Sequence, residues 1–228
     1  MKSTHKTIEV QDHLVSGEIF SVHFDSSGNL GRTIVRDDLN LSVYYPDDDY
    51  VSHQEQPKGL KGILYAIAQK LMLRYKLKVL LKHSKQKKLL DIGGGIGVFA
   101  NSLKTKGYNV SLTEPNLKAR QLVEKKGIKS YANIDDLPLK ETYSILTLWH
   151  VLEHISDLDS TLEKHSNLLK NNGLLIVAVP NIASFDASYY GPYWAAYDVP
   201  RHLWHFKPEG LVHKLKAHGF GLLKTYPL

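Results

Sequence analysis

Apolar and polar positions change rhythm twice along this chain. Between Ile19 and Phe24 they alternate, and the turn-forming Ser26-Ser-Gly-Asn29 follows. That pattern predicts a strand and a hairpin. From residue 58 to 83 the apolar residues Leu60, Ile63, Leu64, Ile67, Leu71, Tyr75 and Leu77 recur mostly at helical spacing, which predicts an amphipathic helix. From Lys88 onward short apolar runs and helical stretches take turns. Strands are expected at 88–92, 109–113, 128–131, 143–149, 174–179 and 220–226, and helices at 97–106, 116–126, 158–170 and 208–218. This alternation implies an α/β fold, a doubly wound, mostly parallel Rossmann-like sheet covered on both faces. The expected organisation is a small β appendage over 1–57, a basic amphipathic helix over 58–86, and the α/β domain over 87–228. Tyr44 to Tyr50 reads as an ordered loop with aromatic anchors. Pro180 stops the fifth strand, and residues 181–206 form a long aromatic loop expected to act as a substrate lid.

The most specific local signal is Lys88-Leu-Leu-Asp-Ile-Gly-Gly-Gly-Ile-Gly97. A buried strand carrying Asp91 runs into a turn with glycines at 93, 95 and 97. Glycine permits the tight turn and lets a ligand lie against bare backbone. A dinucleotide fingerprint would place its last small residue one position later, where this chain has Val98. The spacing therefore leans towards a nucleoside without a pyrophosphate, with an NAD-type dehydrogenase as the rival reading.

Several spaced segments from Lys87 to Tyr226 resemble the class I S-adenosylmethionine (SAM)-dependent methyltransferases, in particular the subgroup related to ubiquinone-biosynthesis enzymes. Asp91 to Gly97 resembles the family's first motif. Asn109-Val-Ser-Leu-Thr-Glu114 resembles its second strand, which ends in an acid. Asp135-Asp136-Leu137-Pro138 resembles the acidic stretch after strand three, and Trp149-His-Val-Leu-Glu-His154 the motif after strand four. The resemblance implies a SAM-dependent methyltransferase whose product is S-adenosylhomocysteine. Such sheets normally close with an antiparallel seventh strand. Here Leu228 follows the expected sixth, so the final strand is expected to be missing.

Composition narrows the setting. The 228 residues are 43% apolar, enough for one domain with an appendage. No apolar run is long enough to span a membrane, and the N-terminus lacks a signal core. Without cysteine there is no disulfide, cysteine-bound zinc or thiol nucleophile, and a cytoplasmic location is the simplest expectation. The net charge of +6 is concentrated. Residues 58–88 hold ten Lys or Arg and no acid, whereas residues 1–57 hold ten acids and four bases. A solvated helix face is the first reading of that basic run, an anionic substrate or membrane surface the second, and nucleic acid the third, because no interleaved aromatic pattern accompanies it.

The resemblance assigns roles residue by residue. Glu114, about 20 residues past the glycine turn, would accept the ribose hydroxyls. Asp91 would order the turn or meet the methionine ammonium through water. Asp136 would accept from the adenine amino group, with Leu137 on the ring, although Asp135 is equally placed. Trp149 joins the cofactor set with Gly93, Gly95 and Gly97. His150, Glu153 and His154 lie at i, i+3 and i+4, one face of a helical turn, where donor and acceptor should meet. Glu153 would orient His154 as a base, while a divalent metal on these residues is not favoured. In Asp198-Val-Pro-Arg-His202-Leu-Trp-His205-Phe206, Arg201 would clamp an acidic acceptor and His202 or His205 would take a proton. The expected acceptor is a small molecule, methylated at oxygen. A nucleic-acid methyltransferase and a non-catalytic SAM-binding protein remain alternatives.

Overall fold

The computed structural model describes residues 6–45 and 60–227. In chain order the elements are β1 (Thr7–Gln11), β2 (Ile19–Phe24), β3 (Leu30–Thr33), α1 (Leu60–His83), β4 (Lys88–Ile92), α2 (Val98–Lys104), β5 (Asn109–Thr113) and α3 (Leu117–Lys125). There follow β6 (Lys129–Tyr131), β7 (Tyr143–Trp149), α4 (Leu158–Leu168), β8 (Leu169–Ala178), α5 (Phe185–Tyr190), β9 (Trp204–Phe206) and α6 (Pro208–Ala217). They form two compact units. One gathers Asp47–Trp149 with Asn167–Val177, the other Met1–Pro46, His150–Ser166 and Ala178–Leu228.

The first of these is the α/β unit. Its sheet has five strands in the order β6-β5-β4-β7-β8, and β4 pairs in parallel with both β5 and β7. Every residue from Leu89 to Ile92 and from Tyr143 to Leu148 is buried, as expected of central strands covered on both faces. Leu89, Val110, Leu112 and Ile145 from the strands meet Phe99, Ala100 and Leu103 of α2 and Val123 of α3 in one core. The expected amphipathic helix is present as α1, but its buried stripe is not the one the spacing suggested. Leu73, Leu77 and Leu80 pack into the core, whereas Ile63, Leu64, Ile67 and Leu71 are at least half exposed.

The other unit is built on an antiparallel sheet of four strands, β1-β2-β3-β9, where one hairpin was expected. The Ser26–Asn29 turn joins β2 to β3, with Asp25 Oδ1 accepting from the Asn29 N–H at 3.0 Å. Val10, Phe20, Val22 and Phe24 line one face and bury Tyr44, Tyr197 and Val199. Gly31 permits the close approach of β9. A Cβ there would lie 2.9 Å from the Phe24 ring and 3.2 Å from His205 Cβ.

Two expectations are corrected. Residues 181–206 are not one long loop. They contain α5, two short 3-10 turns and β9, which pairs with β3 through Leu30↔Phe206 and Arg32↔Trp204. The expected strand at 220–226 is also absent, since these residues carry no regular structure and Leu222 and Leu223 are exposed. An apolar stretch becomes a strand only when a ladder partner satisfies its backbone. Residues 46–59, including Tyr50 and the expected start of the basic helix, lie outside the described residues. Among the described residues no helix is long and apolar enough to cross a membrane.

Candidate active site

The chemistry-bearing residues fall into two constellations, one in each unit. In the α/β unit the chain leaves β4 through a turn in which Gly93, Gly95 and Gly97 have φ of 64°, 56° and 74°. L-residues rarely adopt these values, so glycine is required there. Gly94 is needed for a different reason. A Cβ on it would lie 2.3 Å from Leu112 Cδ1 and 2.8 Å from Asp91 Oδ2. Gly97 is the N-cap of α2, and Lys126 Nζ holds the turn by donating to the Ile96 carbonyl at 2.6 Å.

Glu114 follows β5 and is buried against this turn. Its Oε2 accepts from the Gly95 N–H at 3.0 Å and its Oε1 from the Asn116 N–H at 2.9 Å. Asp91 is 1% exposed and accepts from Thr147 Oγ1 at 2.6 Å. Burial pushes its pKa up to about 6 against the opposing pull of the Thr147 hydroxyl and the Lys76 charge. Trp149 ends β7 with its ring edge-on to Phe99 at 5.5 Å, and its indole Nε1 is buried with no hydrogen-bond partner. Asp136 Oδ2 accepts from the Asn133 N–H at 3.2 Å in a capping box, and Leu137 behind it is buried. The turn, Glu114, Asp91 and Trp149 come together around the carboxyl ends of β4, β5 and β7, and Asp136 and Leu137 follow β6 in the same sheet. These residues fit a nucleoside-bearing cofactor: bare backbone at the turn, an acid aimed at it, and a buried donor without an acceptor.

The second constellation begins at His150, directly after Trp149. His150 has φ of 59° and donates its N–H to the Ala178 carbonyl at 2.9 Å. Its side chain is 53% exposed, with Nδ1 3.4 Å from Glu153 Oε1. Glu153 is completely buried, and neither carboxylate oxygen has a hydrogen-bond partner. Its backbone carbonyl accepts from Leu203 N at 2.7 Å, which ties the 150–155 segment to the residues leading into β9.

His154 and His202 lie with ring centroids 4.6 Å apart at 77°. His154 Nδ1 faces the Arg201 carbonyl at 3.0 Å, and His202 Nδ1 faces the Ala196 carbonyl at 2.9 Å. A carbonyl oxygen only accepts, so both Nδ1 atoms carry a proton. Burial, reinforced by the neighbouring His202, holds His154 below the usual histidine range. One ligand atom each of Glu153, His154 and His202 lies within 4.8 Å of the others, a donor set able to hold a metal ion. His202 thus takes the third place for which sequence spacing had suggested His150.

The Arg201 guanidinium forks onto Asp198 and donates to the Tyr44 carbonyl at 3.3 Å, bonds that brace its own loop. His205 is likewise interior. Its Nε2 meets Thr33 Oγ1 at 2.8 Å, and burial drives its pKa down to about 3.

Tyr45 was missed by sequence reasoning. Its hydroxyl donates to the Arg201 carbonyl at 3.2 Å, lies 3.1 Å from His154 Nδ1, and is pushed up to about 12 by burial and the Asp198 charge. No spacing links residue 45 to residue 154. Thr147 did leave a signal, as a hydroxyl within the apolar run Ile145-Leu-Thr-Leu-Trp149.

Comparison with known proteins places these features in a family. Residues 65–225 match a family model described as a methyltransferase domain. An uncharacterized protein of Methanocaldococcus jannaschii is 37% identical over 109 residues, covering 46% of this chain and 47% of that protein. A ubiquinone biosynthesis O-methyltransferase of Rhodopseudomonas palustris is 28% identical over 151 residues, covering 60% and 59%. The chain thus spans about half to three-fifths of the length of these curated relatives. A similar fold occurs in the Burkholderia thailandensis 1,6-didemethyltoxoflavin-N1-methyltransferase, solved with bound 1,6-didemethyltoxoflavin and S-adenosylhomocysteine. Its TM-score is 0.58 at 15% identity, over 94% of this chain and 90% of that one. With the glycine turn, the acid after β5 and a match over most of its length, the chain belongs to the methyltransferase-domain family, the class I SAM-dependent methyltransferases.

Proposed function

We propose that this protein transfers a methyl group from SAM to a small-molecule acceptor, at oxygen, with His154 as the base. The observation that carries the oxygen reading is the state of His154. Its Nδ1 proton is committed to the Arg201 carbonyl, its burial favours the neutral form, and its Nε2 is left as a free proton acceptor. A hydroxyl acceptor must lose a proton, whereas many nitrogen and carbon acceptors need no base. The relatives named as ubiquinone biosynthesis O-methyltransferases support the same choice. Glycines 93, 95 and 97 would take the cofactor against backbone, Glu114 would accept its ribose hydroxyls, and Asp136 and Leu137 would meet the adenine. SAM supplies a methyl group already activated on a sulfonium. The chain's own task is to bind, orient and deprotonate. A cytoplasmic location belongs to the same reading, supported by the absence of cysteine.

The experiment is a screen with radiolabelled SAM against low-mass fractions of a cell extract. Label should enter a small molecule, through an ether linkage. Label entering only RNA or DNA would move the acceptor to nucleic acid.

A second reading is favoured by Glu153. A fully buried carboxylate with no donor on either oxygen is costly unless a charge compensates it. Glu153, His154 and His202 would then hold a divalent cation that lowers the pKa of the acceptor hydroxyl. Turnover that survives exhaustive chelation supports the base, and turnover restored only by added Mg²⁺, Mn²⁺ or Zn²⁺ supports the cation.

A further inference from the structure

A solvated helix face should be polar, and the outward face of α1 is polar over only half its length. Leu73, Leu77 and Leu80 turn inward to the core of the α/β unit. Lys76 turns with them, its ammonium 4.6 Å over the centroid of the Trp149 ring. The outward face begins with aliphatic side chains: Ile63 is 59% exposed, Leu64 61%, Ile67 50% and Leu71 58%. Further along the helix Arg74, Lys78 and Lys82 are exposed. Steps of four and seven from Ile67 reach Leu71, Arg74, Lys78 and Lys82, so the aliphatic and the basic residues share one stripe. At about 1.5 Å per residue, the aliphatic part from Ile63 to Leu71 covers about 12 Å, and the basic part from Arg74 to Lys82 about as much again.

Single exposed apolar side chains are ordinary, but a contiguous row marks a contact. The continuation of the row says with what. Residues 58–88 hold ten Lys or Arg and no Asp or Glu, so this segment presents an undivided positive field. Its partner must offer anionic groups beside an apolar phase. Nucleic acid offers phosphates, but its apolar surfaces are base faces, which are held by aromatic stacking, and the row here is Ile and Leu. An anionic bilayer offers phosphates directly above an acyl layer. Interfacial helices seat their apolar side chains about 5–10 Å into that boundary and keep Lys and Arg among the headgroups.

We propose that α1 is a membrane-surface helix for anionic lipid. Ile63, Leu64, Ile67 and Leu71 enter the boundary between headgroups and acyl chains, and Arg74, Lys78 and Lys82 meet the lipid phosphates. The helix lies on the bilayer and does not cross it. This assignment is independent of the cofactor site and of the methyl acceptor.

The test is co-sedimentation of the full chain with sucrose-loaded vesicles, either phosphatidylcholine alone or phosphatidylcholine with an equal part of phosphatidylglycerol. The mixed vesicles should bind about ten-fold more tightly or better, and binding should fall as salt is raised. Arg74→Ser with Lys78→Ser should weaken it by about 25-fold, about five-fold for each charge at the surface. Ile67→Ser with Leu71→Ser should weaken it by about ten-fold or more. The four side chains are exposed, so both double variants should melt at the parent temperature. Equal binding to the two vesicle types, binding to neither, or variants that bind like the parent would overturn the proposal. So would a lower melting temperature in the Ile67 and Leu71 variant, which would mean that the chain itself covers the row. Binding of duplex RNA that the mixed vesicles cannot displace would also overturn it, by making the basic half a nucleic-acid surface.

Discussion

Glu114 Oε2 accepts the Gly95 backbone N–H at 3.0 Å, so the acid after β5 and the turn after β4 are one hydrogen-bonded piece. Glu114→Ala therefore has two effects. It removes the acceptor proposed for the ribose and leaves the buried Gly95 N–H without its carboxylate partner. Affinity for S-adenosylhomocysteine should weaken by roughly 1–3 kcal/mol, measured by calorimetry. Unchanged affinity would remove Glu114 from the cofactor site.

Gly94 is constrained by packing rather than by conformation. An added Cβ meets Leu112 Cδ1 at 2.3 Å, inside the core. Gly94→Ala should destabilise the fold by about 1–3 kcal/mol, read as a lower urea midpoint. A variant as stable as the parent would mean that β5 can yield at Leu112.

Asp91 makes stability depend on pH. Its carboxyl rises from 3.8 when unfolded to about 6 when folded, chiefly through burial. An acid raised in this way contributes stability below the unfolded value and loses it as pH climbs through about 6. At pH 7.5 the buried anion is a net cost, so Asp91→Asn should raise the melting temperature there and change it little near pH 4. The asparagine Oδ1 can still accept from Thr147. The same substitution should weaken S-adenosylhomocysteine binding. A lower melting temperature at pH 7.5 would contradict the assignment.

His165 acts on the acid side. It is 1% exposed, its Nδ1 has no partner, and burial lowers its pKa from 6.5 to about 4. Stability from a neutral buried histidine is present above pH about 6.5 and is lost as pH falls through about 4. His165→Leu should flatten the acid limb of a stability–pH curve recorded by urea unfolding. An unchanged limb would assign the acid sensitivity elsewhere.

What was legible in the chain depended on how local the determinant is. The glycine turn, β4, β5 and β7 were readable because turn chemistry and continuous apolar runs lie within ten residues of each other. Glu114 was readable because the fold family fixes an acid at that strand end. β9 was not, since three residues carry no period and its partner β3 lies far upstream. Lys76 was hidden because a lysine on a basic helix counts as solvated until the packing shows which face it takes. The histidine cluster was half visible. Spacing brought Glu153 and His154 together, but His202 comes from a segment far along the chain, tied to them by the Leu203 N–H to the Glu153 carbonyl and by His154 Nδ1 to the Arg201 carbonyl. His150 left that set for the same reason spacing misled: its left-handed backbone breaks the helical turn that i, i+3, i+4 assumes.

The central claim is that this chain moves a methyl group from SAM with His154 as the base. The most direct measurement is turnover of labelled SAM by wild type and His154→Ala, with S-adenosylhomocysteine affinity taken on the same samples. The account predicts transfer to a small molecule by the wild type, a fall of roughly 10²–10⁴-fold in the variant, and cofactor affinity held within about two-fold. A variant that turns over as fast as the wild type, or one that loses cofactor binding in step with activity, would contradict it.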